Sequence, residues 1–182
     1  MRIISGLAGG RKLKSRKTSR VRPTQDRVRE AIFNILALEI PGTVVLDLFA
    51  GFGGLGLEAL SRGAKEAVFV ERDSRNAAII EENIASCGFF AQSSLQVEDV
   101  FWFLETCERC FDIVFMDPPY GKGLARKVVS KIADKALLAE RGLLVVEQHI
   151  DAGLPEVNGL RKYKEKIYGT TKITLLEENR ED

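Results

Sequence analysis

Short apolar runs alternate with helix-like stretches along most of this 182-residue chain, and this alternation constrains the fold more than any other feature. Strands that are apolar on both faces and separated by helices predict a parallel sheet covered by helices on both sides. The predicted strands are Val44–Phe49, Ala67–Val70, Leu95–Val97, Asp112–Met116 and Leu143–Val146, and the predicted helices span 54–62, 74–86, 99–107 and 122–138.

The carboxyl-terminal part departs from this alternation. Two further strand candidates, Lys162–Tyr168 and Lys172–Leu176, flank Gly169-Thr170 with the spacing of a β-hairpin. We therefore predict an α/β fold with a mostly parallel, seven-stranded sheet that ends in an antiparallel pair.

The first forty residues have a different pattern. Residues 2–17 contain a glycine-rich bend at Leu7–Gly10, which predicts a β-hairpin. Thr24 follows Pro23 and is a good N-cap for a helix, whose apolar stripe begins at Val28. We predict an N-terminal extension over residues 1–40 and a main domain over residues 41–182, together forming one compact unit.

Charge is distributed unevenly along the chain. Residues 1–29 carry ten Lys or Arg and one acidic residue, whereas the remainder carries 17 basic and 25 acidic residues. A basic segment on a mildly acidic body favours a polyanionic partner such as RNA, contacted from one end. The hairpin residues Arg11, Lys12 and Lys14 are candidate contacts.

Composition excludes several other classes of protein. The three cysteines are too few for a disulfide framework, and with His149 as the only histidine they provide no zinc tetrahedron, so we expect no metal. The same lack of histidine argues against a hydrolase that uses a Ser–His or Cys–His pair. No apolar run approaches the ~20 residues of a membrane span, and the basic N-terminus is unlike a secretory signal. We expect a cytoplasmic protein without a membrane partner.

The first chemical motif is a glycine loop after the first sheet strand. Gly51-x-Gly53-x-x-Gly56 opens a helix, where small residues allow the backbone to approach a nucleotide-like ligand. Glu71 ends the second strand and is placed to bind a ribose diol. A nicotinamide-dependent oxidoreductase uses the same fingerprint and remains an alternative.

Two carboxylates near this loop favour a different ligand. Asp47 precedes the loop, where a negative charge would repel a pyrophosphate but attract the ammonium of a methionine moiety. Asp99, after the third strand, is placed to accept a hydrogen bond from an adenine amine. These residues favour S-adenosylmethionine as the cofactor.

The second motif, Asp117-Pro118-Pro119-Tyr120, follows the fourth strand. An exocyclic base amine is a poor nucleophile, and the Asp117 side chain with the Pro118 carbonyl could accept both of its hydrogens and aim its nitrogen at a methyl donor. Tyr120 could stack on a flipped base. The motif predicts a base-amine methyltransferase with catalytic residues Asp117, Pro118, Pro119 and Tyr120.

With these motifs in place, the chain resembles the bacterial 16S ribosomal RNA guanine-N2 methyltransferases, the RsmD family, nearly from end to end. The resemblance is carried by the opening Met-Arg-Ile-Ile-Ser-Gly-x-x-Gly-Gly-Arg, the helix entry Arg22-Pro-Thr-x-Asp-Arg-Val-Arg-Glu-Ala-Ile-Phe-Asn34, Asp47-Leu-Phe-Ala-Gly, Glu58-Ala-Leu-Ser-Arg-Gly-Ala64, Asp117-Pro-Pro-Tyr120 and Tyr168-Gly-Thr-Thr. Phe52 and Gly54 depart from the small Ser and Ala residues that are more frequent in the family.

The resemblance implies a Rossmann-like methyltransferase fold and methyl transfer from S-adenosylmethionine to N2 of a guanine in 16S rRNA or the assembling small ribosomal subunit, by a monomer. Arg22 and Thr24 would lie near the mouth of the site. The cofactor would be bound by Phe49, Ala50, Gly51, Gly53, Glu71, Asp99 and Val100, with Asp47 added from the charge argument. An adenine-N6 methyltransferase, which shares Asp-Pro-Pro-Tyr, remains the nearest alternative. The roles of Phe52, Glu147 and His149 stay open.

Overall fold

The computed structural model describes residues 1–16, 23–119, 123–154 and 156–179, with the backbone alone for residues 23–25. The α-helices are α1 (Pro23–Ile35), α2 (Gly54–Ser61), α3 (Ser74–Cys87), α4 (Val100–Thr106) and α5 (Leu124–Asp134), and a 3-10 turn spans Phe90–Gln92. The strands are β1 (Val44–Leu48), β2 (Glu66–Val70), β3 (Ser93–Gln96), β4 (Phe111–Met116), β5 (Leu138–His149), β6 (Leu160–Tyr168) and β7 (Thr171–Glu178).

All seven strands form one sheet in the order β3-β2-β1-β4-β5-β7-β6. Strands β1 to β5 are parallel, and β7 pairs antiparallel with both β5 and β6. The α/β class and the mostly parallel seven-stranded sheet with a terminal antiparallel hairpin are thus confirmed. The strand order reverses between β1 and β4, and sheets of this kind bind ligands beyond the carboxyl ends of the strands at such a point.

Apolar residues on alternate positions of the strands fill two cores. Val45 faces the core beneath α1, α2 and α3, and its neighbour Leu46 faces the core beneath α4 and α5. Ile3 and Leu13 of the N-terminal segment are buried in the first core with Val45. The apolar residues of the extension therefore share a core with the sheet, while the division at residue 40 stays a prediction.

The N-terminal hairpin is reduced to an antiparallel bridge between Arg2 and Lys12. Backbone bonds from Ile3 N to Arg11 O, from Gly10 N to Ile3 O and from Leu13 N to Met1 O join its two sides. Other backbone donors of the segment find partners on α2. The N–H groups of Ile4 and Ser5 donate to the Glu58 carboxylate at 2.7 and 3.1 Å. Because Glu58 is fully buried, these bonds fix the segment on the main domain.

The helix predicted over 122–138 ends earlier, at Asp134. Ala136 adopts a left-handed conformation with φ 48°, and Leu137 N donates to Ile132 O at 3.1 Å. This arrangement is a Schellman motif, which ends a helix and redirects the chain. Leu138 can therefore begin β5. No helix in the described part of the chain is long and apolar enough to cross a membrane.

Candidate active site

The glycine loop is wound tightly by three residues with positive φ. Phe49, Gly51 and Gly53 have φ of 59°, 58° and 80°. A left-handed residue other than glycine costs on the order of 1 kcal/mol and is concentrated at functional sites. Two bonds hold the loop: Ala50 N donates to Val70 O at 3.0 Å, and Gly53 N donates to Ala50 O at 2.7 Å. Phe49, at the end of β1, lines two pockets beside this loop.

Gly56 permits close packing of α2 on β2. A Cβ at this position would lie 2.3 Å from the ring of Phe69. The approach brings the N–H of Gly56 to Asp47 Oδ2 at 2.9 Å. Asp47 is almost completely buried, and this burial raises its pKa to about 8, against the Gly56 hydrogen bond and with help from Asp117 and Glu71. The pocket therefore contains a carboxyl group that a cationic ligand would return to its charged form.

Glu71 ties the glycine loop to the start of α3. Its carboxylate accepts from Gly51 N at 2.9 Å and from Asp73 N at 2.8 Å, and its side chain is buried. Each carboxylate oxygen has a second lone pair, so hydroxyl groups of a ligand can still be bound. Asp99 is exposed and caps α4 by accepting from Phe101 N at 2.9 Å.

Asp117 and Glu147 lie side by side at the carboxyl ends of β4 and β5, whose register pairs Met116 with Val146. The Asp117 side chain is exposed to solvent but lines a concave surface, and the partial desolvation there raises its pKa to about 6. Burial raises the pKa of Glu147 to about 8, with a further contribution from Asp117 that Arg29 opposes. The two carboxyls repel each other and share a concave site.

Two pockets meet at Phe49 and Asp117. The smaller, about 250 Å³, is lined by the glycine loop and by N-terminal residues, and its ionisable side chains are Asp26, Arg29, Asp47, Asp117 and Glu147. The larger, about 760 Å³, combines apolar Val70, Val100 and Phe101 with Glu71 and Asp99. An elongated ligand can span both, with a polar, mainly cationic end in the first and a nucleoside in the second.

The structure thus brings together the predicted cofactor residues Asp47, Phe49, Ala50, Gly51, Glu71, Asp99 and Val100 around these two pockets. Gly53 is buried beneath the loop, against Leu57, Phe69 and Ile80. Pro118 is buried and Pro119 exposed beside Asp117. Tyr120 and Arg22 lie outside the described residues, as does the side chain of Thr24.

The open residues separate into two groups. Phe52 and Glu147 line the smaller pocket. His149 instead contacts Asp151, with Nδ1 3.2 Å from Oδ2. The described residues contain no group of three or more His, Cys, Asp or Glu side chains arranged for a metal ion.

Sequence reasoning missed the part that the N-terminal segment plays in the smaller pocket. Met1, Ser15, Asp26 and Arg29 all line it. Asn83 holds this segment to the glycine loop, because its side-chain nitrogen donates to Lys14 O at 3.1 Å and Phe52 O at 3.0 Å. A basic sequence pattern gave no sign of these contacts, which depend on how the segment packs.

A family model described as "Conserved hypothetical protein 95" matches residues 1–177. The Escherichia coli K12 protein named "Ribosomal RNA small subunit methyltransferase D" is 37% identical over 176 residues, which cover 96% of this chain and 88% of the relative. The chain belongs to the RsmD family. The resemblance predicted from the sequence motifs is thereby confirmed.

Solved structures confirm the RsmD-type fold. The structure of yhhF from Escherichia coli has a TM-score of 0.89 and 34% identity, covering 100% of this chain and 99% of its own. The structure of SMU.776 in complex with S-adenosylhomocysteine has a TM-score of 0.67 and 18% identity, covering 86% of this chain and 50% of its own. At that identity the second likeness shows the fold alone, which is that of the methyltransferases.

Proposed function

We propose that this chain transfers a methyl group from S-adenosylmethionine to the exocyclic N2 amine of a guanine in 16S ribosomal RNA. Membership in the RsmD family supports the reaction class. The observation that carries the proposal is the position of Asp117, which lies where the two pockets meet and directly precedes Pro118 in the chain.

The pockets fit S-adenosylmethionine in shape and charge. Glu71 and Asp99 line the larger pocket and would accept from the ribose hydroxyls and from the adenine amine, respectively. Val100 and Phe101 line the same pocket and would contact the adenine. Asp47 faces the amino-acid end in the other pocket. When bound, the cofactor supplies an electrophilic methyl group on a sulfonium. The surrounding carboxylates favour that cation and disfavour a pyrophosphate, which argues against a nicotinamide dinucleotide.

Asp117 and the Pro118 carbonyl are the acceptors for the amine. Two acceptors direct the N2 hydrogens away from the donor, so the nitrogen lone pair faces the methyl group. As the N–C bond forms, positive charge develops on N2, and the Asp117 carboxylate stabilises it. After the C–S bond breaks, Asp117 can take the extra proton from N2 and release it to water.

The exposed basic side chains of the N-terminal segment are the candidate contacts with RNA. Arg11 and Lys12 are exposed. Lys14 is also exposed but forms an ion pair with Glu82 on α3, which neutralises part of its charge. Electrostatic contact with phosphates depends on unneutralised Lys and Arg. We therefore assign more of the phosphate contact to Arg11 and Lys12 than to Lys14, in a monomeric enzyme.

The proposal is tested by mapping modified nucleosides in small-subunit RNA. RNA from cells that lack the protein should contain one N2-methylguanosine fewer than RNA from wild-type cells. Wild-type protein should restore it, Asp117→Ala should not, and Asp134→Ala should, because Asp134 is an exposed residue at the end of α5. Loss of an N6-methyladenosine instead would favour the adenine alternative, and an unchanged set of modifications would contradict the proposal.

A further inference from the structure

Arg29 is a buried cation that reaches the cofactor pocket from the N-terminal extension. It lies on α1, is only 5% exposed, and lines the smaller pocket together with Asp47 and Gly54. A buried guanidinium carries a large desolvation penalty unless its donors are used. The partners of those donors therefore indicate what the side chain is placed to bind.

Only one end of the guanidinium is well satisfied within the protein. Nη2 donates to Arg2 O at 2.5 Å and to Asp26 Oδ1 at 3.0 Å. Nε has no hydrogen-bond partner among the described residues, and its nearest carboxylate oxygen, on Glu58, is 3.9 Å away. Since a guanidinium has five N–H donors, it retains capacity for a further acceptor.

The other end of Arg29 lies against the start of α2. A Cβ built on Gly54 would lie 3.4 Å from Nη1. Gly54 and Leu55 line the same pocket, whereas the N–H of Gly56, also in the first turn, already donates to Asp47 Oδ2 at 2.9 Å. The first N–H groups of a helix have no intrahelical acceptor and favour anions. Arg29 Nη1 and the first turn of α2 thus present donors to one volume.

The other charges of this pocket decide which anion fits. Asp26 and Asp117 would repel a simple anion, and Asp47 and Glu147 would do so when ionised. A zwitterion can place its positive group towards these carboxyls and its negative group towards Arg29. The amino-acid moiety of S-adenosylmethionine has one ammonium and one carboxylate. We propose that Arg29 and the first turn of α2 bind the α-carboxylate of the cofactor, which makes Arg29 a positioning residue and a determinant of cofactor specificity.

This inference rests on the proposed function, and two ligands separate the two. S-Adenosylhomocysteine carries the amino-acid group, whereas 5′-methylthioadenosine has the same nucleoside and a thioether but lacks that group. Isothermal titration of the wild-type protein should show tighter binding of S-adenosylhomocysteine. Arg29→Gln should weaken S-adenosylhomocysteine by about 10-fold or more, the scale of a lost hydrogen bond to a charged group, and leave 5′-methylthioadenosine within about 2-fold.

Arg62→Gln is the matched control. Arg62 also pairs with the buried Glu58, at 2.7 Å, but does not line the pocket, so its loss should leave the ratio of the two affinities unchanged. If Arg29→Gln does not fold, Arg29→Lys provides the test. Lysine keeps the positive charge but lacks the planar guanidinium group, so this variant should also bind S-adenosylhomocysteine less tightly relative to 5′-methylthioadenosine.

If Arg29→Gln leaves the ratio of the S-adenosylhomocysteine and 5′-methylthioadenosine affinities unchanged, whether or not both affinities fall, the inference is overturned and the methyltransferase proposal still stands. If the wild-type protein binds neither ligand, the proposed function fails and the inference fails with it.

Discussion

The buried carboxylate of Asp47 accepts a hydrogen bond of 2.9 Å from the backbone N–H of Gly56, the glycine that lets α2 approach β2. This single bond links the packing of a helix to the charge of the cofactor pocket. One hydrogen bond offsets only part of the cost of burying a carboxylate, and the pKa of Asp47 is accordingly raised to about 8. The pocket therefore contains a buried carboxyl group that destabilises the protein when it ionises, which is consistent with its proposed role in binding the cationic end of the cofactor.

Asp47→Asn should stabilise the protein at alkaline pH. The folded protein retains the Asp47 proton up to about pH 8, whereas the unfolded chain loses it near pH 4, so this group makes stability fall as pH rises between those values. The slope is at most about 1.4 kcal/mol per pH unit, and each kcal/mol corresponds to roughly 2–4 °C in a chain of this size. The difference in Tm between Asp47→Asn and the wild-type protein should be measured at pH 5 and at pH 8.5. This difference should favour the variant by several degrees more at pH 8.5 than at pH 5. A gain of equal size at both values would contradict a raised pKa for Asp47.

Methyl transfer should decline on the acid side of pH about 6. Asp117 accepts the amine hydrogens only when ionised, and its pKa is raised to about 6 by its concave surroundings. Because Asp117 and Glu147 interact, the pH dependence belongs to the pair rather than to one residue. The kcat/KM for the RNA, measured from pH 5 to 9 at saturating cofactor so that cofactor binding does not limit the rate, should fall about tenfold per pH unit below this value. The residual activity of Asp117→Asn should not show this decline below pH 6. If the decline persists in the variant, the titrating group is not Asp117.

Replacing Arg11 and Lys12 by Gln should weaken RNA binding and its dependence on salt. Each lost phosphate contact should reduce the slope of log K against log salt by roughly 0.7–0.9. Lys14→Gln should have a smaller effect, since its ammonium is already paired with Glu82. Lys65→Gln is the control, because Lys65 is exposed just before β2 and lies outside the N-terminal segment. If Lys65→Gln has the same effect as the Arg11 and Lys12 replacements, RNA binding depends on overall charge alone.

Gly56→Ala should destabilise the protein by about 1–3 kcal/mol, the usual range for overpacking. The added methyl group would overlap the ring of Phe69, and α2 would have to move away from β2. Chemical denaturation measures this directly. Gly153→Ala is the matched control, with nothing within 4 Å of the added carbon, and should change stability little. Comparable losses in both variants would indicate a general effect of replacing glycine.

Periodicity and motif position predicted much of the fold and of the cofactor site. Apolar strands and glycine-marked turns fix the order of elements because their signals are local, and the carboxyl ends of β1 and β4 then place Asp47 and Asp117 together. Arg29 and Glu147 could not be assigned in this way. Arg29 lies in an ordinary amphipathic helix, and its approach to Gly54 depends on the packing of α1 against α2. The left-handed conformation of Phe49 also had no local signal, since aromatic residues rarely adopt it.

The most direct test of the central claim is methyl transfer from isotopically labelled S-adenosylmethionine to small ribosomal subunits prepared from cells that lack the protein. The labelled nucleoside is identified by mass spectrometry, and cofactor binding is measured in parallel. Wild-type protein should produce labelled N2-methylguanosine, and Asp117→Ala should produce none while still binding S-adenosylhomocysteine. Label in a different nucleoside, or undiminished transfer by Asp117→Ala, would contradict the claim that Asp117 holds a guanine amine beside the methyl donor.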